Sequence, residues 1–405
     1  MSAVEADART ETATLDGART VEPAAEPVVP ADAGGASGDG ARSGPLRWSL
    51  RPTASPATAA ERDAIFADPG FGRHFTDNMA TASWDAESGW HDAQIAPFRP
   101  FTLSPASAVL HYSQSIFEGL KAYRHADGSV HLFRPEANAA RFARSARRLA
   151  LPELPTEDFL SSLAELVRAE IAWVPSGGGE TSLYLRPLMF GDEAFLGVRP
   201  SRTAQYAVLA SPAGAYFARG PVPVSLWVSE HYTRAAPGGT GAAKTGGNYA
   251  SSLLPQQEAV ANGCDQVVFL DAAERRWVEE LGGMNVFVVR SDGTVVTPPL
   301  TGSILEGVTR DAILAFAGEL GYAASEQPIA LDELRADARA GRVSEVFACG
   351  TAAVVTPVGQ IVQSGHETLV LGEESGPVTT AIRAALLDLQ YGRRPDPAGW
   401  LHRVA

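Results

Sequence analysis

The sequence predicts an α/β protein of two domains in which strands and helices are mixed. Three observations indicate this fold class. The chain has 405 residues, which exceeds the length of a typical single domain. Short apolar runs of strand type are interspersed with longer amphipathic segments of helix type, without the regular strand–helix alternation of a doubly wound sheet. A segment rich in glycine and proline divides these elements into two groups.

Composition and pattern place the boundaries of four segments. Residues 1–46 are rich in Ala, Gly, Pro and Glu and contain no aromatic residue. They cannot bury enough surface to offset the entropy of ordering, so we predict a disordered tail. Residues 47–210 are predicted to form a small N-terminal α/β domain, residues 211–221 an interdomain linker, and residues 222–405 a larger C-terminal domain.

The elements of the first domain follow from local patterns. Residues 130–133 (VHLF) alternate in polarity, as a half-buried strand does. Residues 136–149 place apolar or small side chains at helical spacing among many arginines, which predicts an amphipathic helix. Residues 156–173 predict a second helix, ended by Pro175 and the three glycines that follow. Residues 206–209 (YAVL) predict a strand that leads into the linker.

The second domain repeats this mixture. Two helices are expected, over residues 250–262 before Gly263 and over residues 309–320 with Thr309 as the cap. Four apolar runs predict strands: residues 222–229, 266–270, 285–289 and 354–358. No strand is followed by the glycine pattern of a dinucleotide-binding turn, so we expect no dinucleotide cofactor.

Charge and cysteine usage exclude several classes of protein. The net charge of −14 argues against a nucleic-acid partner, because phosphate backbones bind basic faces. No run of about 18 uncharged apolar residues predicts a membrane span, and the N-terminus lacks the pattern of a signal peptide. Cys264 and Cys349 have no metal-ligand spacing, so we expect no metal site and two reduced thiols in a cytoplasmic protein.

The basic residues are almost all arginine. Lysine and arginine total 33, and only Lys121 and Lys244 are lysine. Arginine can form nearly any salt bridge, but it cannot supply a primary amine that loses its proton and attacks a carbonyl carbon. Each lysine is therefore either present by chance or a candidate for such chemistry.

Lys244 lies in an unusual segment. Residues 237–249 (PGGTGAAKTGGNY) place five glycines around it, and no other charged residue occurs between Arg234 and Glu258. Glycines let a bulky ligand approach the backbone closely. A flexible surface loop is the alternative interpretation, but a solvated loop of this chain would be expected to carry arginine or acidic residues. The pattern favours a lysine that forms a Schiff base with a carbonyl ligand.

The same segment resembles the Schiff-base motif of branched-chain amino acid aminotransferases, which are fold type IV enzymes dependent on pyridoxal phosphate. The resemblance extends over about residues 71–394, some 80% of the chain. It includes four further motifs, at residues 111–123 (HYSQSIFEGLKAY), 183–187 (LYLRP), 280–285 (ELGGMN) and 345–352 (EVFACGTA). Ordered matches of this length are far more specific than one lysine pattern. The resemblance implies the two-domain architecture of fold type IV, with pyridoxal 5′-phosphate in the interdomain cleft.

The resemblance implies roles in cofactor binding, position by position. Lys244 is expected to hold the aldehyde of the cofactor and to move the substrate proton. Tyr249 is expected at the phenolic oxygen, and Glu280 at the pyridine nitrogen, since it directly precedes Leu-Gly-Gly-Met-Asn and the neighbouring Glu279 does not. The phosphate is expected at Arg141, Val308, Thr309 and Thr351. From the residues alone, Tyr249 is equally a packed loop tyrosine, and Arg141 is one of five arginines on a solvated helix face.

The implied substrate pocket accepts an aliphatic side chain in one half-reaction and the distal carboxylate of glutamate in the other. Its aromatic walls are expected to be Phe71, Tyr112, Phe117 and Tyr216. The distal carboxylate is expected at Tyr184 and Arg186, and the α-carboxylate at the backbone near Ala352. Each aromatic residue could also belong simply to the apolar core, Phe117 above all.

The implied activity is a ping-pong transamination between L-leucine, L-isoleucine or L-valine and 2-oxoglutarate. The protein is expected to assemble as at least a homodimer, with the neighbouring subunit closing the pocket. The alternatives are another fold type IV enzyme, either a D-amino acid aminotransferase or an aminodeoxychorismate lyase, and a catalytically silent scaffold that binds the cofactor. One departure bears on the substrate. Gly283 stands where many members have threonine, which removes a hydroxyl near the substrate carboxylate.

Overall fold

The computed structural model describes residues 44–176, 180–214 and 222–405. Most of the predicted tail, residues 1–43, lies outside these ranges. Leu46, the last residue of that prediction, does not belong to a tail. Its side chain is buried, and its backbone amide donates a hydrogen bond to Asp158 Oδ1 at 2.6 Å. The predicted tail is therefore too long at its C-terminal end, because one apolar residue gives too little local pattern to mark the start of a domain.

Strands and helices cover most of the described residues. The strands, in chain order, are β1 (Ser49–Leu50), β2 (Asn78–Asp85), β3 (Gly89–Pro97), β4 (Ser115–Phe117), β5 (Leu120–Arg124), β6 (Val130–Phe133), β7 (Ser182–Gly191), β8 (Thr203–Ala213), β9 (Val224–Ser229), β10 (Gln266–Leu270), β11 (Val278–Leu281), β12 (Asn285–Arg290), β13 (Val295–Thr297), β14 (Ala324–Glu326), β15 (Val343–Gly350), β16 (Val354–Val362), β17 (Leu369–Val370) and β18 (Leu401–Arg403). The α-helices are α1 (Ala59–Ala67), α2 (Ala108–Tyr112), α3 (Pro135–Arg148), α4 (Thr156–Ala169), α5 (Gly246–Ala250), α6 (Leu253–Ala261), α7 (Val308–Phe316), α8 (Leu331–Arg339) and α9 (Pro377–Gln390). Short 3-10 helices follow α4 at Ile171–Trp173 and α7 at Ala317–Leu320.

The first of two sheets is made mostly from the N-terminal half of the chain. Its strand order is β1-β3-β2-β8-β7-β5-β6-β18, with β4 beside β7. Neighbouring strands are antiparallel except for β1 and β3. Helices α3 and α4 pack on this sheet through buried side chains that include Phe142, Phe159 and Leu163. This packing holds α3, the helix that carries Arg141, firmly against the sheet.

The second sheet contains strands of the C-terminal half. Its order is β11-β10-β9-β16-β15-β12-β13-β14, with β17 beside β16. A further pairing of β11 with β12 closes six of these strands into a barrel-like ring. Strand β9 runs parallel to both of its neighbours, and β13 runs parallel to β14, while the other pairs are antiparallel. The two sheets with their helices confirm the predicted mixed α/β fold class.

An apolar cluster joins the two sheets. Tyr123 and Phe133 of the first sheet belong to the same buried cluster as Phe287 and Phe347 of the second, together with residues of α7 and α9. The rings of Phe287 and Phe347 stack with centroids 5.0 Å apart. After α9 the chain returns to the first sheet, where β18 pairs with β6. This last strand therefore does not pair with the rest of the domain predicted for residues 222–405.

The predicted strands are present, several with shifted ends. The strands at 130–133 and 266–270 have the predicted bounds. Strand β8 is longer than predicted and includes residues 211–213, which we expected in the linker. Of the rest of that linker, Gly214 is described, and residues 215–221 lie outside the described ranges. The division into two domains stays a prediction.

The predicted helices show two corrections. The helix expected over 250–262 is two short helices, α5 and α6, with a break after Ala250. Helix α7 is preceded by Gly307, so Thr309 lies inside the helix and is not its cap. Within the part of the chain that the structure describes, no helix has the length and apolar character needed to cross a membrane.

Candidate active site

Lys244 lies in the connection between β9 and α5, and its backbone is fixed from two sides. Its amide donates to Ser145 Oγ of α3 at 2.9 Å, and its carbonyl oxygen accepts from the amide of Phe117 in β4 at 3.0 Å. The next residue, Thr245, forms an isolated β-bridge with Ile116. The lysine is thus anchored on elements of the first sheet, although the strands before and after it pair in the second.

The glycine-rich segment before Lys244 is a packed part of the molecule. Asn248 Nδ2 donates to the carbonyl oxygen of Thr240 at 2.7 Å. At Gly241, a Cβ atom would lie 2.2 Å from the carbonyl oxygen of Ser303. Only glycine therefore lets the two backbone segments touch at this point. These contacts argue against the alternative of a flexible surface loop.

The amine of Lys244 has polar and aromatic neighbours. Its Nζ donates a hydrogen bond to the Tyr249 hydroxyl at 2.7 Å. The same atom lies 4.8 Å from the ring centroid of Phe117 and 5.2 Å from that of Tyr249. A primary amine that a neighbouring hydroxyl and two aromatic rings hold at a cavity is placed to react with a carbonyl ligand.

A cavity of about 490 Å³ adjoins this amine, a size typical of small-molecule sites. The predicted residues that line it are Phe71, Phe117, Arg141, Tyr184, Arg186, Lys244, Tyr249, Glu280, Val308, Thr309, Thr351 and Ala352. These residues come from strands of both sheets, from helices and from the segments between them, and they are separated by up to 281 positions in the chain. The structure thus brings twelve of the fourteen predicted site residues to one place.

Glu280 is held at the cavity by several donors. Its side chain is 3% exposed, and its Oε1 lies 2.7 Å from Arg234 Nη1 and accepts from the Leu305 amide at 2.8 Å. Asn285 Nδ2 lies 3.4 Å from Oε2. Burial raises the pKa of Glu280 to about 7, although the nearby Arg234 guanidinium acts in the opposite direction. Glu280 can therefore hold or release a proton near neutral pH.

The neighbouring Glu279 lies on the other face of β11. It accepts a hydrogen bond from Ser303 and lines a separate cavity with Pro237 and Trp277. Successive residues of a strand point to opposite faces, so only one of two adjacent acids can reach the cavity beside Lys244. Of the two, the geometry favours Glu280 for the expected role.

Arg141 belongs to a buried ion pair. Its Nε and Nη2 bind the two carboxylate oxygens of Glu118 at 2.7 and 2.8 Å, and its Nη1 donates to the carbonyl oxygen of Glu306 at 2.9 Å. Burial disfavours both charges, but each partner stabilises the other, so the pKa of Glu118 is lowered and that of Arg141 is raised. Arg141 is therefore not a solvated helix-face arginine. Since a guanidinium has five N–H donors, two remain for an anion in the cavity.

The N-terminus of α7 also opens on the cavity. Val308 and Thr309 are the first two residues of this helix, and both line the cavity. The first amides of a helix have no intrahelical acceptor and carry the positive end of the helix dipole. Arg141, with two N–H groups not used in its bonds to protein atoms, and Thr351 line the same cavity, so this end of the cavity is rich in groups that can donate to an anion.

Arg186 and Tyr184 stand on one face of β7, because they are two residues apart. Arg186 Nη2 donates to the Tyr184 hydroxyl at 2.9 Å, and the guanidinium carbon lies 4.9 Å from the ring centroid of Phe117. Phe71 packs edge-on against Tyr184, with ring centroids 4.9 Å apart. This part of the cavity therefore offers apolar walls to an aliphatic side chain and one guanidinium to a carboxylate.

Two predicted substrate residues are not placed at this cavity. The hydroxyl of Tyr112 donates to the carbonyl oxygen of Leu196 at 2.5 Å, and its ring stacks with Phe195. Tyr112 does not line the cavity of its own chain, because Ser113 ends α2 in a left-handed conformation and turns the chain between Tyr112 and β4. Tyr216 lies outside the described residues.

Sequence reasoning did not predict the side chains that bind Arg141 and Glu280: Glu118 pairs with Arg141, and Arg234 and Asn285 contact Glu280. Glu118 and Asn285 lie inside the motifs at 111–123 and 280–285. The similarity to these motifs did not show which residues their side chains contact. Arg234 is 4% exposed. Arg234 is the last charged residue before the stretch that contains Lys244 as its only charge. A charged residue beside a packed, uncharged segment needs a partner of opposite charge, and this pattern could have indicated Arg234.

Comparison with known proteins places the chain in a family. Residues 115–361 match the family described as amino-transferase class IV. A probable branched-chain-amino-acid aminotransferase of Streptomyces coelicolor is 57% identical over 356 residues, which cover 88% of this chain and 98% of that protein.

Solved structures share the fold. The branched-chain amino acid aminotransferase of Escherichia coli matches with a TM-score of 0.67 and 32% identity, over 80% of this chain and 100% of that one. The branched-chain amino acid aminotransferase of Thermobaculum terrenum, in a crystal structure of its PLP form, matches with a TM-score of 0.66 and 27% identity, over 81% and 98% of the two chains. The chain belongs to the class IV aminotransferases, which use pyridoxal phosphate, and within them to the branched-chain amino acid aminotransferases.

Proposed function

We propose that this protein moves the amino group between L-leucine, L-isoleucine or L-valine and 2-oxoglutarate by a ping-pong reaction dependent on pyridoxal phosphate. The first substrate leaves as its 2-oxo acid before 2-oxoglutarate becomes glutamate. The observation that carries the proposal is the hydrogen bond of Lys244 Nζ to the Tyr249 hydroxyl, in a cavity that Glu280 and Arg141 also line.

The residues at the cavity fit pyridoxal 5′-phosphate. The first amides of α7, the two remaining N–H groups of Arg141 and the hydroxyl of Thr351 suit a phosphate dianion. Lys244 supplies a primary amine for the aldehyde, and Glu280 a buried carboxylate for the ring nitrogen. When bound, the cofactor supplies an aldehyde that takes up the amino group and a ring that accepts the electron pair of the substrate Cα.

The chain's own residues bind, orient and move protons around that chemistry. Lys244 would hold the cofactor through Nζ, and its amine would take the proton from the substrate Cα. Tyr249, 2.7 Å from Nζ, orients the amine. Arg234 and the Leu305 amide keep the Glu280 carboxylate in place, so that Glu280 can hold the proton at the ring nitrogen.

Two kinds of substrate use the same cavity. The aliphatic side chain of a substrate is expected to pack against Phe71 and Phe117 and to exclude water from this part of the cavity. The distal carboxylate of 2-oxoglutarate is expected at Arg186, with Tyr184 holding the guanidinium in position. Both substrates carry an α-carboxylate, which we place at the backbone near Ala352.

A panel of L-amino acids assayed with 2-oxoglutarate and purified protein tests this proposal, with D-alanine as the control. We expect glutamate from L-leucine, L-isoleucine and L-valine and none from D-alanine. Activity with D-alanine alone would identify a D-amino acid aminotransferase, and pyruvate release from aminodeoxychorismate would identify the lyase. If L-valine leaves the visible absorbance of the bound cofactor unchanged, the protein is a silent scaffold.

We also propose that the protein acts as a homodimer in the cytoplasm. Tyr112 lies outside the cavity of its own chain, and Leu110 and Leu196 near it are 58% and 71% exposed, so this surface is available to a second copy. The unpaired thiols of Cys264 and Cys349 suit a reducing compartment. Sedimentation at the mass of a single chain would contradict the dimer.

A further inference from the structure

Lys121, the second of the two lysines, is buried behind the cavity. It extends from β5, is 4% exposed, and donates from Nζ to the carbonyl oxygen of Ala352 at 3.1 Å. Ala352 belongs to the turn between β15 and β16, residues 351–353, which lines the cavity and which we call the cavity turn. Lys121 therefore connects the first sheet to a wall of the cavity without lining the cavity itself.

Arg383 of α9 binds the same region. Its Nη1 donates to the carbonyl oxygens of Ala353, at 3.2 Å, and of Val355, while its Nη2 pairs with Glu180. The charges of Arg383 and Glu180 both act on Lys121. Two cations and one anion therefore stand behind the cavity turn, which leaves a net positive charge there.

Binding at the carbonyl oxygens controls where the amides of the turn point. The carbonyl of Ala352 and the amide of Ala353 belong to one planar trans peptide, so the N–H points away from Lys121 when the oxygen points toward it. A hydrogen bond at a carbonyl also polarises the peptide and strengthens its N–H as a donor. A turn held in this way is prepared to receive an anion on its cavity side.

We propose that Lys121 is a positioning residue for the α-carboxylate of both substrates, acting through the cavity turn. It holds the turn in the orientation that offers N–H groups to the cavity, and it adds positive charge behind them. The inference rests on the proposed transamination, in which the amino acid and the 2-oxo acid share an α-carboxylate. Loss of Lys121 should weaken the binding of both substrates by a similar factor. Loss of Arg186 should weaken the binding only of the substrate that has a distal carboxylate.

The test measures the binding of a carboxylate to the holoenzyme without turnover. 4-Methylvaleric acid has the carbon skeleton and carboxylate of leucine but no amino group, and calorimetry gives its Kd. For Lys121→Met we expect this Kd, and the KM values for L-leucine and 2-oxoglutarate, to rise about tenfold. kcat and the amount of bound cofactor should change less than about threefold, and Lys121→Arg should restore binding to within about threefold of wild type.

Tyr391→Phe is the matched control. It removes a hydroxyl that donates to the carbonyl oxygen of Thr181, and not to the cavity turn, at 2.7 Å; the charge of Glu180 acts on Tyr391 as it does on Lys121. We expect wild-type Kd and KM values for this variant. A Lys121→Met enzyme with wild-type Kd and KM overturns the inference, and so does an equal loss in Tyr391→Phe. Absence of transamination in the wild type would instead defeat the proposed function, so the two failures are distinguishable.

A pH series keeps the inference testable even where Lys121→Met does not fold. Burial lowers the pKa of Lys121 to about 8, an effect that Glu180 opposes and Arg383 reinforces. Tyr123 and Tyr391, whose pKa values burial raises, stay neutral in this range. Lysine loses its charge above about pH 8 and arginine does not. The Kd of the wild type divided by that of Lys121→Arg should therefore rise severalfold between about pH 7 and pH 9, and a constant ratio overturns the inference.

Discussion

The buried pair of Glu118 and Arg141 allows a quantitative test of the site. The two side chains are 0% and 4% exposed, so water cannot replace either partner. Glu118→Gln keeps the size and one acceptor but leaves the guanidinium without a counter-charge. Removing one partner of a buried pair lowers the free energy of unfolding by about 3–5 kcal/mol. Because glutamine retains one acceptor, we expect a loss at the lower end of this range, about 3 kcal/mol. At about 2.1 cal/mol/K of unfolding entropy per residue, Tm of a chain this long should fall by about 4 °C.

Differential scanning calorimetry, without cofactor and with saturating pyridoxal phosphate, provides the measurement. The phosphate brings a new anion to Arg141, and a ligand that binds only the folded state stabilises it, so the Tm deficit of Glu118→Gln should shrink when the cofactor is present. The control Arg144→Gln breaks a pair with Glu306 whose side chains are 45% and 41% exposed. Exposed pairs contribute about 0–1 kcal/mol, so its Tm should stay within about 1 °C. Equal Tm values for the two variants, or a deficit that the cofactor leaves unchanged, would refute the reasoning.

Four further substitutions test other parts of the protein. Lys244→Ala should abolish transamination and the retention of cofactor through gel filtration, and residual wild-type activity would contradict its role as the nucleophile. Arg186→Met should raise KM for 2-oxoglutarate at least about tenfold and that for L-leucine less than about threefold, since a hydrogen bond to a charged group contributes about 1.5–3 kcal/mol; equal changes would count against the assignment. Gly283→Thr should fold, because a Cβ there would meet no atom closer than 3.6 Å, and its added hydroxyl should lower KM for amino acids; a higher KM would show that the glycine is required. Burial raises the pKa of Glu170 from 4.5 to about 7, so the folded state loses stability as pH rises across that interval. The free energy of unfolding of Glu170→Gln, measured in urea and compared with that of wild type, should therefore rise by about 3 kcal/mol from about pH 4 to pH 8. Parallel pH profiles of the two proteins would disprove this.

Local pattern predicted the elements that local sequence determines. The strands at 130–133 and 266–270 are buried runs flanked by turn residues, and their bounds were predictable for that reason. Strand β18 was not, because three residues become a strand only through pairing with β6. The break in the helix expected over 250–262 has a similar cause. The hydroxyls of Ser251 and Ser252 both donate to the carbonyl oxygen of Asn248, and such bonds compete with the regular helix pattern.

The site shows the same division between local and distant contacts. Lys244 and Tyr249 are five positions apart and meet through the turn between them, so a sequence motif contains their geometry. Glu118 and Arg141 meet only because β4 and α3 pack together, and no spacing in the sequence predicts that pair. Tyr112 is the opposite case, since it stands in a recognised motif yet faces another part of the surface.

Composition indicated more about this site than periodicity did. In the described part of the chain, every side-chain ion pair is made by arginine or histidine and none by lysine. Arginine therefore meets the general need for positive charge, and the two lysines both lie at or behind the cavity. The two positions require different properties of lysine. An arginine at 244 would keep the charge and lose the amine, so Lys244→Arg should be inactive. An arginine at 121 would keep the hydrogen bond and the charge, so Lys121→Arg should stay active. That contrast separates a position that requires a primary amine from one that requires a cation.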